Sequence, residues 1–396
     1  MKKPELLCPS GDMESLTAAL RFGADAVYIG GPMMQLRADK AAFTLDDIKL
    51  AADTMHRAGK KLYVTVNCFA TNEEIDQIGQ YANDLKNAGV DAIIVSDIGA
   101  IKEIRNKSDI EIHVSTQANC QNYMAATHYY EMGASRVVLA RELSIEDIAK
   151  LRDKAPPKLE LEAFVHGAMC MSYSGRCLLS SYLTGRSGNR GECAQSCRWS
   201  YYIMEEKRQN EYIPVYEDER GTQILSSRDL CSIEFLDKLA EIGIDSFKIE
   251  GRMKTAFYTA TVTNAYRRGI DHTADIETLK KELGSISHRP YTTGFYYGEA
   301  KDIYTENGDY ITDCAFIGSV ISQDENNMTK ILVRNKFAKG ETLEILSPLS
   351  IGKEFIVGDI IEAKGNVTDL ANKPMTEVTF YCPIKLETGD MLRRRK

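Results

Sequence analysis

A chain of 396 residues, 43% hydrophobic and 27% charged, has the length for one large domain and a smaller one, each able to bury a core. Its net charge of −8 excludes a protein that coats nucleic acid through a uniformly basic surface, though not one with a local basic patch. No run of 18 apolar residues occurs, and the start MKKPELLCPSGD carries no long apolar segment. The expectation is a cytoplasmic protein that makes no use of a membrane and whose N-terminus belongs to the fold.

The first 270 residues repeat one pattern: an amphipathic segment, a glycine that can cap it, an acidic or small residue, then a β-branched run. It appears as LRFGADAVYIGG (20–31), LKNAGVDAIIVSD (85–97), YEMGASRVVLAREL (130–143) and LAEIGIDSFKIEGR (239–252). Between these lie the strand-like runs ELLCP (5–9), KLYVTVN (61–67), EIHVSTQ (111–117) and LELEAFVHG (159–167). Eight strands alternating with helices predict an α/β fold, a TIM-like (β/α)8 barrel over 1–270. An open doubly wound sheet is the alternative, but the turn CPSGD carries no G-x-G-x-x-G fingerprint.

A barrel does its chemistry where strands end. The polar residues there are Ser10, Gly30, Gly31, Asn67, Ser96, Asp97, Gln117, Asn119, Arg141, Glu142, His166, Glu250 and Arg252. After His166 the spacing breaks. About sixty residues pass before a helix is predicted near Asp229, too long for a plain loop, so an ordered cysteine-rich insertion over 168–228 is expected, with QILSS as a strand within it. The helix of TAFYTATVTNAYRRGID closes the barrel, and ADIETLKKELGSIS suggests another inside a linker segment spanning 271–313. From there the grammar changes to short alternating strands with glycine turns, which predicts a small all-β barrel domain over 314–396. Two clusters could form basic patches: Arg186, Arg190 and Arg198 in the insertion, and the tail from Arg393 to Lys396. Solvated loop and solvated terminus are the plainer readings.

The insertion concentrates the chemistry. Cys170, Cys177, Cys193 and Cys197 fall within 28 residues as C-x6-C-x15-C-x3-C, with Cys231 a fifth sulfur further on. The remaining five cysteines, Cys8, Cys68, Cys120, Cys314 and Cys382, are scattered and read as inert buried thiols. Thiolates suit zinc and iron-sulfur clusters alike. Only the pair Cys193 and Cys197 has the tight spacing of a zinc knuckle, which favours a cluster while leaving zinc and unliganded thiols open. No H-E-x-x-H, G-x-S-x-G or P-loop motif occurs. A cysteine peptidase would need a histidine beside one thiol, and His166, four residues before Cys170, could serve. The plainer reading of His166 is a strand-end ring bonded to a carboxylate such as Glu162. Arg141 and Arg252 could grip a small carboxylate by bidentate pairing, or be held in salt bridges to Glu142 or Glu250.

The stretch EAFVHGAMCMSYSGRC (162–177) resembles the signature of the collagenase-like peptidases of family U32. LLCPSGD, RGECAQSCRW, ILSSRDL, KIEGRMK and the terminal β-domain extend the resemblance over most of the chain. It implies an oxygen-independent hydroxylation protein with a 4Fe-4S cluster, closest to the branch that forms 5-hydroxyuridine at the tRNA wobble position with prephenate as co-substrate. Hydroxylation of ribosomal RNA and collagenase-like peptidase activity are the alternatives. It also implies the cluster ligands Cys170, Cys177 and Cys193, with Cys197 or else Cys231 as the fourth; the reading of the residues themselves makes His166, Glu162, Arg141 and Arg252 the expected catalytic residues. The implied partners are a tRNA anticodon loop and a related partner subunit; Tyr173, Tyr182 and Trp199 are candidate stacking surfaces for the loop, with core packing the plainer role for at least one of them.

Overall fold

Eight parallel strands close on themselves in the computed structural model, which describes residues 3–36, 42–170, 172–199, 217–218, 221–222, 228–298 and 310–396. The first seven are β1 (Glu5–Pro9), β2 (Ala26–Gly30), β3 (Lys61–Val66), β4 (Ala92–Val95), β5 (Glu111–Val114), β6 (Arg136–Val138) and β7 (Glu160–Ala168). Each is followed by a crossover. The helices of the first six are α1 (Met13–Arg21), α2 (Leu45–Arg57), α3 (Asn72–Asn87), α4 (Ile98–Lys107), α5 (Tyr123–Glu131) and α6 (Ile145–Lys154). All six begin on a side-chain cap, Asp12, Thr44, Thr71, Asp97, Asn122 and Ser144 in turn. Asp97, a polar strand-end residue in the sequence, is therefore spent on the start of α4.

The crossover after β7 is the insertion. Among its described residues it holds the short helix α7 (Leu179–Thr184) and a two-residue hairpin, β8 (Glu217–Asp218) with β9 (Gly221–Thr222). The QILSS stretch lies outside the described residues. Where a helix was predicted near Asp229 there is instead a strand, β10 (Asp229–Cys231), antiparallel to β7, and helix begins only at α8 (Leu236–Glu241). Asp229 is buried with its carboxylate against the Arg289 guanidinium at 2.7 Å, which holds the chain extended between β7 and the strand that follows Arg289. The eighth barrel strand, β11 (Ser246–Ile249), pairs with both β7 and β1 and closes the ring, and α9 (Ala256–Ile270) covers it. The segment expected as a linker contributes structure of its own: α10 (Ile276–Leu283), and β12 (Tyr291–Thr292), which pairs with β10.

The barrel interior is not an apolar plug. Near the strand starts Arg136 reaches Glu5 at 2.6 Å, Glu160 at 2.7 Å and Glu162 at 3.0 Å, and Lys248 joins Glu162 at 2.8 Å. Burial alone would raise the Glu162 carboxyl; the adjacent charges of Lys248 and Arg136 overcome it and hold the group at about 2. Apolar packing lies mainly outside the ring, between strands and helices.

The C-terminal domain is all-β: β13 (Cys314–Gln323), β14 (Met328–Val333), β15 (Phe337–Ala338), β16 (Thr342–Ser347), β17 (Ser350–Ile356), β18 (Ile360–Glu362), β19 (Val367–Thr368), β20 (Leu370–Ala371), β21 (Glu377–Tyr381) and β22 (Met391–Arg395). Eight of these form one antiparallel sheet in the order β17-β16-β22-β13-β14-β21-β18-β19 around a separate core, and β15 pairs with β20. The arginine tail is neither a solvated terminus nor a basic patch. It is the inner strand β22, where Arg393 is fully buried, bonded to Glu344 and, at 2.5 Å, to Glu282 of α10. Arg21 to Asp390 at 2.6 Å and the stacked rings of Phe257 and Phe316 complete the seam with the barrel.

Candidate functional site

The C-terminal ends of the barrel strands surround a cavity of about 240 Å³. Of the polar strand-end residues picked out in the sequence, Asn67, Gln117, Arg141, Glu250 and Arg252 line it. The insertion roofs it with Cys170, Cys177, Cys193 and Cys197. Four sulfurs scattered over 28 residues therefore share one space with two arginines from the barrel.

Three ties hold the insertion down. Glu142 accepts from the Ser174 amide at 2.5 Å and its hydroxyl at 2.6 Å. Arg176 donates to the Gln117 carbonyl at 3.0 Å and lies over the Phe69 ring. Arg190 forks onto Glu74 of α3 and donates to the Phe69 carbonyl at 2.8 Å, so this arginine is an anchor rather than part of a basic patch. The Arg186 side chain is exposed, and that of Arg198 lies outside the described residues. Inside the insertion the Ser180 hydroxyl accepts from the Ala194 amide at 3.0 Å, which ties the Cys193 turn to α7.

The sulfurs sit in donor-rich turns. The Leu179 amide points at Cys177 Sγ at 3.3 Å and the Gln195 amide at Cys193 Sγ at 3.4 Å, the latter aided by a left-handed Gln195. None of the four is in a disulfide. Among the described residues no group of three or more His, Cys, Asp or Glu side chains is arranged to hold a single metal ion.

The arginines differ in what they have left to give. Arg252 donates to the Thr65 hydroxyl at 2.5 Å and also bonds the Leu36 carbonyl. A Cβ on Gly30 would stand 2.7 Å from its guanidinium and closer still to Gln35, so a glycine is required there for the arginine to pass. Arg141 lies over the Phe164 ring at 4.0 Å and reaches Glu250 at 3.7 Å, while Glu142 is occupied by Ser174. Its Nε is buried with no hydrogen-bond partner among the described residues. Sequence reasoning missed Lys248, which lines the same cavity. In FKIEGR the residues Lys248, Glu250 and Arg252 alternate with Phe247, Ile249 and Gly251, and that period of two was the available signal.

His166 is elsewhere. Strict alternation along β7 would put it inside with Glu162 and Phe164. The register shifts here, so that Lys248 pairs with Phe164 and Ile249 with His166. The extra residue, Val165, turns His166 to the outer face with Ile249. Its Nδ1 meets the Tyr266 hydroxyl of α9 at 3.2 Å, not Glu162, and the Tyr258 and Tyr291 rings crowd it. Burial pushes its pKa down to about 3, so the ring is neutral. The next residue, Gly167 (φ 106°), has space for no Cβ, since Glu250 O would lie 2.5 Å from it.

Glu162 is committed to Arg136 and Lys248 inside the barrel and does not line the cavity. Cys231, paired in register with His166, also sits on the outer side, 3.8 Å from the Tyr266 hydroxyl, with its thiol pKa raised by burial. A thiol with a histidine base is thus not assembled in the cavity, since none of the chain's six histidines lines it. Tyr173, Tyr182 and Trp199 are all exposed on the insertion.

No helix among the described residues is long and apolar enough to cross a membrane. The chain is 38% identical over 407 residues to tRNA hydroxylation protein P1 of Bacillus subtilis (strain 168), covering 100% of this chain and 96% of that protein. It is 34% identical over 431 residues to tRNA hydroxylation protein P of Escherichia coli (strain K12), covering 97% and 94%. It is 37% identical over 267 residues to the 23S rRNA 5-hydroxycytidine C2501 synthase of Escherichia coli (strain K12), covering 67% of this chain and 39% of that protein. The model of peptidase family U32 matches residues 11–306, and that of the family's C-terminal domain residues 312–393. On this match, which takes in both the barrel with its cysteine roof and the β-domain, the chain belongs to peptidase family U32.

Proposed function

We propose that the chain is an RNA-hydroxylating enzyme of the cytoplasm, and more finely that it forms 5-hydroxyuridine at the wobble position of tRNA, independently of oxygen, with a 4Fe-4S cluster and prephenate as co-substrate. One observation carries the reading: the four insertion cysteines face the same cavity as Arg141, Lys248 and Arg252. The full-length likeness to tRNA hydroxylation proteins supports the RNA.

Cys170, Cys177, Cys193 and Cys197 are the residues that would hold the cluster. A cluster spreads four thiolates over separate irons, so its ligands line a space and need not meet at one ion. When bound it would supply electron transfer to the substrate. The alternative fourth ligand, Cys231, stands across β7 from the cavity. Arg141, with its unspent Nε, is suited to hold the carboxylate of a small acid, while Arg252 and Lys248 add positive charge. Tyr173, Tyr182 and Trp199 offer exposed rings on which the bases of a single-stranded anticodon loop could stack.

Anaerobic purification should give a brown protein containing iron and labile sulfide, with a related subunit co-purifying if the active unit is a heteromer. Serine at Cys170, Cys177, Cys193 or Cys197 should each empty the site, and serine at Cys231 should not. A deletion strain should lose 5-hydroxyuridine derivatives from its tRNA. A colourless protein and unchanged tRNA would sink the proposal. A change confined to 23S rRNA would move the activity to ribosomal RNA, and peptide cleavage lost only with Cys170→Ser would restore the peptidase.

A further inference from the structure

Among the described residues that line the cavity, one polar group is left unsatisfied that neither the cysteines nor the cations account for. Gln117 stands in the single helical turn Thr116–Ala118 that follows β5, is 7% exposed, and lines the cavity. Its side-chain Oε1 is buried and accepts no hydrogen bond among the described residues. A buried acceptor without a donor is costly and rare in a finished structure, and in a cavity it marks where a ligand completes the bond.

The backbone around it is fixed from several sides. The Gln117 amide donates to the Ser115 hydroxyl at 3.4 Å, its carbonyl accepts from Arg176 Nε at 3.0 Å, and the Thr116 hydroxyl donates to the Leu139 carbonyl at 2.9 Å. Asn119, left-handed at φ 55°, ends the turn. The Arg176 bond also makes this turn one of the points where the insertion is fastened to the barrel. A side chain on so braced a turn enters the cavity with little freedom left to lose on binding.

The missing partner must be a donor. A carboxylate has only acceptor oxygens and is the natural ligand of Arg141, Lys248 and Arg252, so a small acid's carboxyl does not satisfy Gln117. A carboxamide offers an acceptor and a donor side by side. That pair matches the N3 and C4 edge of a pyrimidine, the edge by which enzymes read a base drawn out of its stack. We infer that Gln117 is the residue that reads the target base, its carboxamide bonding the N3–H and O4 edge of a uracil turned into the barrel mouth. This rests on the RNA-hydroxylase reading above and adds the base-recognition residue to it.

The test uses the full-length, anaerobically purified chain and a deletion strain complemented with each variant. Gln117→Leu keeps the bulk of the side chain and removes its hydrogen bonds. It should lower 5-hydroxyuridine in tRNA roughly tenfold or more, with wild-type iron content and melting temperature. Affinity for an anticodon stem-loop, set mostly by phosphate contacts, should change less than about threefold. Gln117→Glu, which retains an acceptor oxygen at the same reach, should keep more product than Gln117→Leu and covers the case in which the leucine variant folds poorly. A stem-loop with N3-methyluridine at the target position should bind wild type more weakly than its uridine counterpart, and Gln117→Leu should lose that preference. Product at wild-type level from Gln117→Leu, or equal preference in both proteins, overturns the inference and leaves the hydroxylase reading standing. Unaltered nucleosides in the deletion strain remove the hydroxylase reading first, and the inference with it.

Discussion

Glu162→Gln is the substitution whose cost the structure sets most clearly. The change is nearly isosteric, so it opens no cavity and isolates the charge. Glu162 is fully buried, and Lys248, with a side chain 5% exposed, bonds it at 2.8 Å. Arg136 keeps Glu5 and Glu160 after the change, whereas Lys248 loses the carboxylate that neutralises it. Removing one partner of a buried pair costs about 3–5 kcal/mol. The pKa gives an independent figure: a carboxyl held at about 2 instead of 4.5 contributes about 3 kcal/mol at neutral pH. For a domain of this size either figure lowers the melting temperature by roughly 5–15 °C. The decisive comparison is with Glu162→Gln combined with Lys248→Met, which removes both charges and should regain most of the loss, read by thermal and urea melts of the barrel transition. If Glu162→Gln costs under about 1 kcal/mol, or the double variant is no more stable than the single, the ionic interior is not held together as described.

The acid limb follows from the same groups. Glu162 has a lowered folded pKa, so its contribution is complete above about 4.5 and is lost as pH falls towards 2. His166 is held neutral by burial at about 3 against an ordinary 6.5, so its contribution is lost as pH falls from about 6.5 towards 3. His166→Phe should flatten the melting-temperature profile from pH 6.5 down to about 3, leaving below 4.5 only the loss that belongs to Glu162. Glu282→Gln, which strips Arg393 of its partner across the seam, should cost about 3 kcal/mol and make the β-domain separable by limited proteolysis. Arg190→Ala breaks a partly exposed pair with Glu74 and should cost no more than about 1 kcal/mol in urea. Gly167→Ala, which forces a Cβ to 2.5 Å from Glu250 O at a φ only glycine tolerates, should leave little soluble protein at 37 °C.

The barrel was legible because its signals are local. The runs of β2, β3, β4 and β6 have a glycine at positive φ before them, those of β1 to β6 have a capping Thr, Ser, Asn or Asp after them, and β1 to β7 fall where the runs lie. The cavity was legible in part for the same reason, since Asn67, Gln117, Arg141, Glu250 and Arg252 end strands in a fold that gathers strand ends. What was not legible depends on partners distant in sequence. Arg393 reads as tail until Glu282 and Glu344 are seen to enclose it. Asp229 reads as the start of a helix until Arg289, sixty residues on, holds it in a strand.

His166 shows how small such a difference can be. Period-two alternation places it in the cavity beside Cys170, where it would make a plausible base for a thiol nucleophile. One additional residue in β7 reverses that, because every side chain after a bulge changes face. The same bulge sends His166 and, through the antiparallel pairing of β10, Cys231 to the outer layer against Tyr266. It needs Gly167 immediately after it, where β7 passes too close to Glu250 for any side chain. Beyond Gly167 the chain returns to the cavity wall at Ala168, Met169 and Cys170. The HGAMC stretch is therefore a device for turning a strand over at the barrel mouth: the histidine and glycine set the geometry, and the cysteine that follows is the residue presented to the site.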